Sequence, residues 1–439
     1  MLGDSPLPAG WRWVMVEDIR ATRQGAIVSG PFGSNIGKRF FVDDGIPVIR
    51  GNNLTLGQTE FVDEGFVYIT PEKAHELRNC EAVAGDLVFT AAGTLGQVGL
   101  IPNHSRYPRY IISNKQLRLR CDPQLALPKY LYYWFSAPRM RQHIVNQNTG
   151  ASVPLITLGT LRKLPIALPP LPVQRKIAAV LSAYDDLIEN NTRRIAILEE
   201  MAQALYREWF VHFRYPGHAR VPLVESDLGM IPAGWEVVPL EAVCSRITDG
   251  SHWSPKTVEQ GLPMASVKDM HSWGFNLGTC RKIAEDDFAR LVHNDCKPLK
   301  GDVLVAKDGS YLKHIFAVND DLELVILSSI ALLRPDTSQI LPNYLALLLL
   351  QPTMKARMLG YVSGVAIPRI VLKDFRRFHI VVAPIRTQKA FNDLVEPIMM
   401  LCQTLTAKNV ALSHTRDLLM PKLISGEVDV AEMDIAGAE

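Results

Sequence analysis

A chain of 439 residues with 47% hydrophobic and 21% charged residues has the composition of a folded multidomain protein, which excludes a disordered chain or a single small scaffold. Its formal net charge of +2 excludes nucleic-acid binding by bulk charge, so any such contact must come from local patches. The six cysteines (Cys80, Cys121, Cys244, Cys280, Cys296 and Cys402) form no C-x-x-C pair. They point to reduced, buried thiols in a cytoplasmic protein with no metal site, and no apolar run is long enough for a membrane span.

Residues 1–167 predict a mixed α/β domain. Trp11 and Trp13 stand near its start, and Ser29 to Asn35 (SGPFGSN) is a turn cluster. Short β-type runs follow at 46–50, 60–62, 66–69, 86–90, 97–101 and 116–120, separated by turns such as Arg50 to Asn53 (RGNN). The alternation in Gln116 to Arg120 predicts a half-exposed strand. Leu127 to Ile144 predicts one helix with an aromatic face of Tyr130, Tyr133 and Trp134. From Ile101 to Lys163 there are ten Lys/Arg and one acid, Asp122; from Thr353 to His379 there are six against Asp374. Two basic segments at matching places predict two phosphate-binding surfaces.

Residues 168–215 predict a spacer helix. After Pro169, Pro170 and Pro172 no Pro or Gly occurs before Pro216. Ile177, Leu181, Tyr184, Ile188, Asn191, Ile195, Leu198, Ala202, Leu205 and Trp209 recur at steps of four and three, a heptad seam. About forty residues make a rod of roughly 60 Å. Residues 216–230 predict a polar linker, and residues 231–382 a second mixed domain with strands near 263–267, 302–305 and 324–327. Residues 383–425 predict a second helix, kinked or started late by Pro397. Its seam is Phe391, Val395, Ile398, Cys402, Leu405, Asn409, Leu412, Arg416, Leu419 and Leu423. In an antiparallel pairing about the midpoints, Asn191 and Asn409 fall opposite each other and fix register. The acidic tail, 426–439, predicts disorder.

The two halves are copies. A shift of 214 residues places Arg120, Asp122, Leu127, Pro128 and Tyr130 on Arg334, Asp336, Leu341, Pro342 and Tyr344, and Gln174 on Gln388. The segment from Leu7 to Trp11 (LPAGW) recurs as Ile231 to Trp235 (IPAGW) at a shift of 224. The chain is a tandem duplication of a unit of roughly 215 residues. The strand openings Gly85-Asp86 and Gly301-Asp302 also repeat, and both aspartates read as turn residues. The loop tips differ, as two different targets would require. The sequence has no phosphate loop, no dinucleotide fingerprint, no amino-methyltransferase motif and no zinc-protease or nucleophile-elbow motif. No catalytic residue is assigned.

The ordered set that remains is Leu168 to Ile177 (LPPLPVQRKI), Glu199 to Phe213, Phe213 to Gly217 (FRYPG), Leu228 to Trp235 (LGMIPAGW) and Leu419 to Gly426 (LMPKLISG). It resembles the specificity subunit of type I restriction–modification enzymes over nearly the whole chain. The resemblance implies an α+β fold of two tandem mixed α/β target recognition domains, each followed by a long helix, with the two helices pairing as an antiparallel coiled coil. It implies that each domain reads one half of a bipartite, asymmetric site in double-stranded DNA. The coiled coil then sets the spacing and docks two modification (methyltransferase) subunits, with restriction (translocase/nuclease) subunits joining them. The chain is then not itself an enzyme and binds no cofactor; S-adenosylmethionine, ATP and Mg belong to the partner subunits. A spacer of 60 Å matches some eighteen base pairs at ~3.4 Å per step. Candidate DNA contacts in the first domain are Ser34, Asn35, Arg50, Asn52, Asn53, Thr94, Arg106, Arg109 and Lys115. In the second they are Thr248, Asp249, Ser251, His252, Lys268, Lys307, Ser310 and Lys313. The competing reading is a scaffolding adaptor, which would lack salt-dependent, sequence-selective DNA binding. A self-contained methyltransferase is disfavoured because no cofactor loop exists.

Overall fold

A computed structural model describes residues 7–57, 59–309, 312–362, 369–435 and 437. The chain forms two compact units, Met1–Glu189 with Val410–Glu439, and Asn190–Asn409. The long helices Leu171–Tyr206 and Ile385–Ser425 each begin in one unit and end in the other. Each unit is therefore one mixed domain plus half of each helix.

In the first unit a four-stranded antiparallel sheet runs in the order Ile27–Ser29, Gln116–Leu119, Leu87–Thr90, Val98–Leu100. One face, with Leu87, Phe89, Leu117 and Leu119, packs on the helix Pro128–Ser136. The other, through Val88, meets a five-stranded sheet that contains Ile46–Ile49 and Tyr110–Ile112 as a parallel pair. Both faces being covered, the strand Gln116–Leu119 is wholly buried, not half-exposed as its alternation suggested. The segment 60–62 forms no strand. The expected single helix is two, Pro128–Ser136 and Pro138–Asn146. Pro138 cannot continue the first helix but starts the second, where its missing N–H costs nothing. The second unit repeats the plan. Cys244–Asp249, Ile330–Pro335, Val303–Ala306 and Ile315–Ala317 form the four-stranded sheet, and Leu262–Ala265 with Val325–Ile326 forms the parallel pair.

Each domain closes by pairing its first and last strands, Arg12–Met15 with Pro165–Leu168 and Glu236–Pro239 with His379–Val382. The closing strand leads directly into a long helix, and a buried glutamine fixes the joint in both copies. Gln174 accepts from Leu127 N (2.7 Å) and donates to Leu125 O (3.2 Å) and Pro169 O (2.8 Å). Gln388 accepts from Leu341 N (2.9 Å) and donates to Gln339 O (2.9 Å) and Ala383 O (2.7 Å). Below it Tyr130 donates to Ala167 O and Tyr344 to Val381 O.

The helices pair antiparallel within each unit. Ile177 and Leu181, near the start of the first helix, share a core with Met420, Leu423 and Ile424 of the second. Ala202, Tyr206 and Trp209 share a core with Phe391, Val395 and Met399. Every residue of the expected seam is buried or half-buried. Tyr206, Phe210, Met399 and Met420 complete it at positions the heptad reading left out. The first helix ends in a π turn, Arg207–Val211, and Phe213 takes a left-handed conformation (φ 57°) before Pro216. The second runs through Pro397 without a break, so of the kink or late start expected there, the late start does not occur. Phe391, Val395 and Met399 flank the proline and are fully buried, which offsets the one missing backbone bond.

The seam carries two polar features. Asn191 Nδ2 donates to Asn409 Oδ1 (2.9 Å), and Asn409 donates to Thr192 Oγ1 (3.2 Å), so the expected asparagine pair forms. In the first unit Asp185 accepts from Tyr133 OH (2.6 Å) and pairs with the buried Arg416 (2.6 Å). The repeat places Leu347, Met399 and Ala202 at the corresponding positions of the second unit, all in its core.

Residues 216–230 are not only a linker, because Leu223–Ser226 and Gly229–Pro232 form a hairpin. The tail after Ser425 is not disordered over its described residues. Val430 is buried, Val428 and Ile435 pack on the same core, and Lys176 donates to Ala431 O (2.6 Å). Apolar residues spaced among the acids supply this anchor. All six cysteines are free and buried, and burial raises the thiols of Cys121, Cys244 and Cys402 to about 12. A thiol reagent should therefore label none of the six in the native chain at pH 8, and all six in denaturant, as read by intact mass. No helix among the described residues is long and apolar enough to cross a membrane.

Candidate nucleic-acid interface

Four loops of the first domain converge at one end of its sheets. They are the 3-10 turns Gly33–Asn35 and Gly51–Asn53, the connection from Thr90 to Val98, and the tight turn from Ile112 to Gln116. Between them lies a cleft of about 410 Å³ lined by Ile36, Phe41, Arg50, Gly51, Thr90, Ala92, Thr94, Gln97, Ser113, Asn114, Lys115 and Gln116. Part of this lining is structural. Thr90 donates to Gln97 Oε1 (2.9 Å), and Gln97 Nε2 donates to Gly51 O (3.2 Å) and Leu54 O (2.9 Å). Ser113 donates to Gln116.

The side chains of Arg50, Thr94, Asn114 and Lys115 make no hydrogen bond or ion pair among the described residues. Arg50 Nε is buried and lacks a partner. Among the described residues no carboxylate lines the cleft, so two cations and several donors without a partner there line one hollow. That arrangement suits an anionic partner with acceptor edges. Ser34 and Asn35 lie on an exposed turn at the rim; a Cβ on Gly33 would stand 3.1 Å from Asn114 Nδ2.

The remaining first-domain candidates are placed elsewhere. Asn52 donates to Gly65 O (3.1 Å). Asn53 is buried, accepts from Arg50 N (3.0 Å) and donates to Val62 O (3.0 Å) and Glu64 O (2.9 Å), so it builds the loop and does not face solvent. Arg106 lies over the Tyr107 ring, 5.5 Å from its centroid, and Arg109 stands 3.5 Å from Glu81. Neither lines the cleft. The expected basic surface is also thinner than its count. Arg118 is buried and donates to Glu81 O and Gly25 O, and burial lowers its pKa. Arg120 grips Asp86 through two hydrogen bonds (2.7 and 2.6 Å). Lys129 pairs with Glu60, and Arg141 donates to Leu56 O. In the second segment Arg357 and Arg376 donate to His379 O and Ile247 O.

The second domain builds the same corner differently. Lys307 is buried and pairs with Asp249 (3.2 Å) and Asp308 (3.3 Å), while the exposed His252 approaches Asp249 (3.3 Å). Lys307 therefore holds the loops together and is not a free cation. Ser251 is buried and exchanges hydrogen bonds with the Trp253 backbone, and Thr248 is half-buried in its strand. Lys268, in the 3-10 turn Val267–Asp269 that matches Gly51–Asn53, is exposed, as is Lys313. Ser310 lies outside the described residues.

Asn114 and Gln97 are additions that sequence reasoning missed. Asn114 had one available signal, its place in a turn between two strands beside Lys115. Gln97 had none, because the two backbone carbonyls it serves lie over forty residues away.

Comparison with known proteins follows the same division. The family described as type I restriction modification DNA specificity domain matches twice, over residues 38–200 and 232–410. The MjaIX type I restriction enzyme specificity subunit of Methanocaldococcus jannaschii is 24% identical, covering 97% of this chain and 95% of that protein. The HindI specificity subunit of Haemophilus influenzae is 22% identical over 74% of this chain and 84% of its own length. The EcoBI specificity subunit of Escherichia coli is 23% identical over 88% and 80%. Among solved structures, the type I restriction–modification S subunit of M. genitalium shares the fold with a TM-score of 0.57 at 16% identity, covering 94% of this chain and 96% of that one. With two family domains on two copies of one fold, and loops that differ at the tips, the chain belongs to the type I restriction–modification DNA specificity family.

Proposed function

We propose that the two domains read the two unlike halves of a bipartite DNA site for a type I restriction–modification complex. The chain acts as its non-catalytic specificity subunit. The paired helices set the gap between the halves and dock two modification subunits, and restriction subunits join that assembly. S-adenosylmethionine, ATP and Mg belong to those partners. The observation that carries this reading is the first-domain cleft, lined by Arg50, Thr94, Asn114 and Lys115, whose side chains have no partner among the described residues. The corresponding corner of the second domain holds Ser266, Lys307 and Asp308 in place of Arg50, Ala91 and Ala92. One scaffold with two chemically different tips supports an asymmetric target.

The test is a map of methylated adenines in cells with and without this chain. A motif of two unlike halves with a fixed gap should lose methylation when the chain is removed; no change in any motif would sink the reading. Within the assembled complex, Arg50→Ala should relax one base position of one half-site by about 1–3 kcal/mol. Lys115→Ala should weaken all sequences alike and lower the slope of log affinity against log salt by about one. Both effects are read by titration of labelled duplexes. An adaptor that binds only proteins would give neither.

A further inference from the structure

In each domain the loop leaving the edge strand of the four-stranded sheet begins at a glycine pinned against a neighbouring backbone. A Cβ on Gly30 would lie 1.8 Å from Ser113 O, and one on Gly250 2.1 Å from Ile326 O. Gly30 N donates to Gln116 O and Gly250 N to Ile330 O, residues one repeat apart. These contacts equate the two loops even though their lengths differ. Two residues past Gly30 stands Phe32, which is 85% exposed; three past Gly250 stands Trp253, which is 42% exposed.

Neither ring is on a loose tip. Asn35 N donates to Phe32 O (2.8 Å), which fixes the backbone at Phe32, and the next residue, Gly33, abuts Asn114 on the wall of the cleft. Trp253 N donates to Ser251 Oγ (3.1 Å), and the Arg290 guanidinium covers one face of the indole at 4.8 Å. A lone exposed aromatic is ordinary on a protein surface. An aromatic held on a short, backbone-fixed turn in both repeats, in the first beside a hollow of unpaired cationic donors, is not explained by packing. Such a ring is placed to stack on a base or to wedge between base steps while Lys115 holds a phosphate.

We propose that Phe32 stacks against or wedges into the bases of the first half-site, and that Trp253 does the same in the second. This rests on the reading of the chain as a DNA specificity subunit. The partner is duplex DNA, and the contact adds a deformability preference to whatever the cleft reads by hydrogen bonds.

The test uses the assembled methyltransferase complex and duplexes of the mapped site carrying 2-aminopurine at successive positions of each half. With the native chain, fluorescence should rise at one step in each half-site. Phe32→Ala should abolish the rise in the first half only and weaken binding roughly 5- to 100-fold with an unchanged salt slope. Trp253→Ala should act on the second half only. Because Phe32 touches almost nothing, the thermal midpoint of Phe32→Ala should equal that of the native chain. Unchanged affinity and fluorescence in Phe32→Ala, with the bipartite site still methylated, would overturn the inference and leave the proposed function standing. Loss of complex assembly in place of DNA binding would overturn it in favour of a protein contact. Absence of any site that depends on this chain would remove both.

Discussion

Replacing Gln174 with leucine should destabilise the first unit by about 3–5 kcal/mol, because three backbone groups lose their partner at once. The amide oxygen receives Leu127 N–H at the start of the helix Pro128–Ser136, and the amide nitrogen serves Leu125 O and Pro169 O. The site is fully buried, so water does not replace these bonds without opening the joint. Leucine matches the volume and keeps helix propensity, which isolates the polar loss. Hydrogen exchange reads the result locally: the Leu127 amide should lose protection while its copy, Leu341, keeps it. Gln388→Leu should reverse the pattern. Equal protection at Leu127 in the native and Gln174→Leu chains would show that the glutamine contributes nothing to the joint.

Asp185→Ala is expected to cost about 3–5 kcal/mol in the same unit, by leaving Arg416 buried with one partner removed and Tyr133 without an acceptor. The chain contains its own control. At the matching places the second unit has Leu347, Met399 and Ala202, packed in its core. The triple change Tyr133→Leu, Asp185→Met, Arg416→Ala should therefore recover most of the loss, since a well-packed apolar set matches or exceeds a buried ion pair in stability. Urea unfolding of the single and triple variants, followed in the first unit, separates the two cases. A triple variant as unstable as Asp185→Ala would mean that the polar set is needed for packing itself.

The duplication, the seam and the Asn191–Asn409 pair were legible because they rest on periodicity, which a sequence carries openly. Asn409 at a heptad position signals a buried polar group, and 2.9 Å to Asn191 is its outcome. The interface was harder to read, because a charge count does not say where a side chain points. Arg118 and Arg120 counted as basic surface, yet a second sheet covers that strand and both turn inward, Arg120 onto Asp86, thirty-four residues away. The pair recurs as Arg334 and Asp302, so repetition of a charged pattern signalled architecture and not a ligand. Lys307 misled for the same reason. Gly85-Asp86 read correctly as a turn, since Asp86 also accepts from Val83 N (2.9 Å), but its second task was visible only in three dimensions. The tail misled through composition, where three aliphatic residues outweigh the acids around them.

The first unit draws on two stretches of chain far apart in sequence, and the second on a single continuous one. During synthesis, residues 190–409 are complete before Val410 onward leaves the ribosome. The domain made first is thus the last to finish its core, waiting for Met420, Leu423, Ile424 and Val430. A frameshift or protease cut near residue 410 would strike the amino-terminal domain and leave the later one whole. Genetic lesions beyond residue 410 would then appear as defects of the domain that holds residues 1–189.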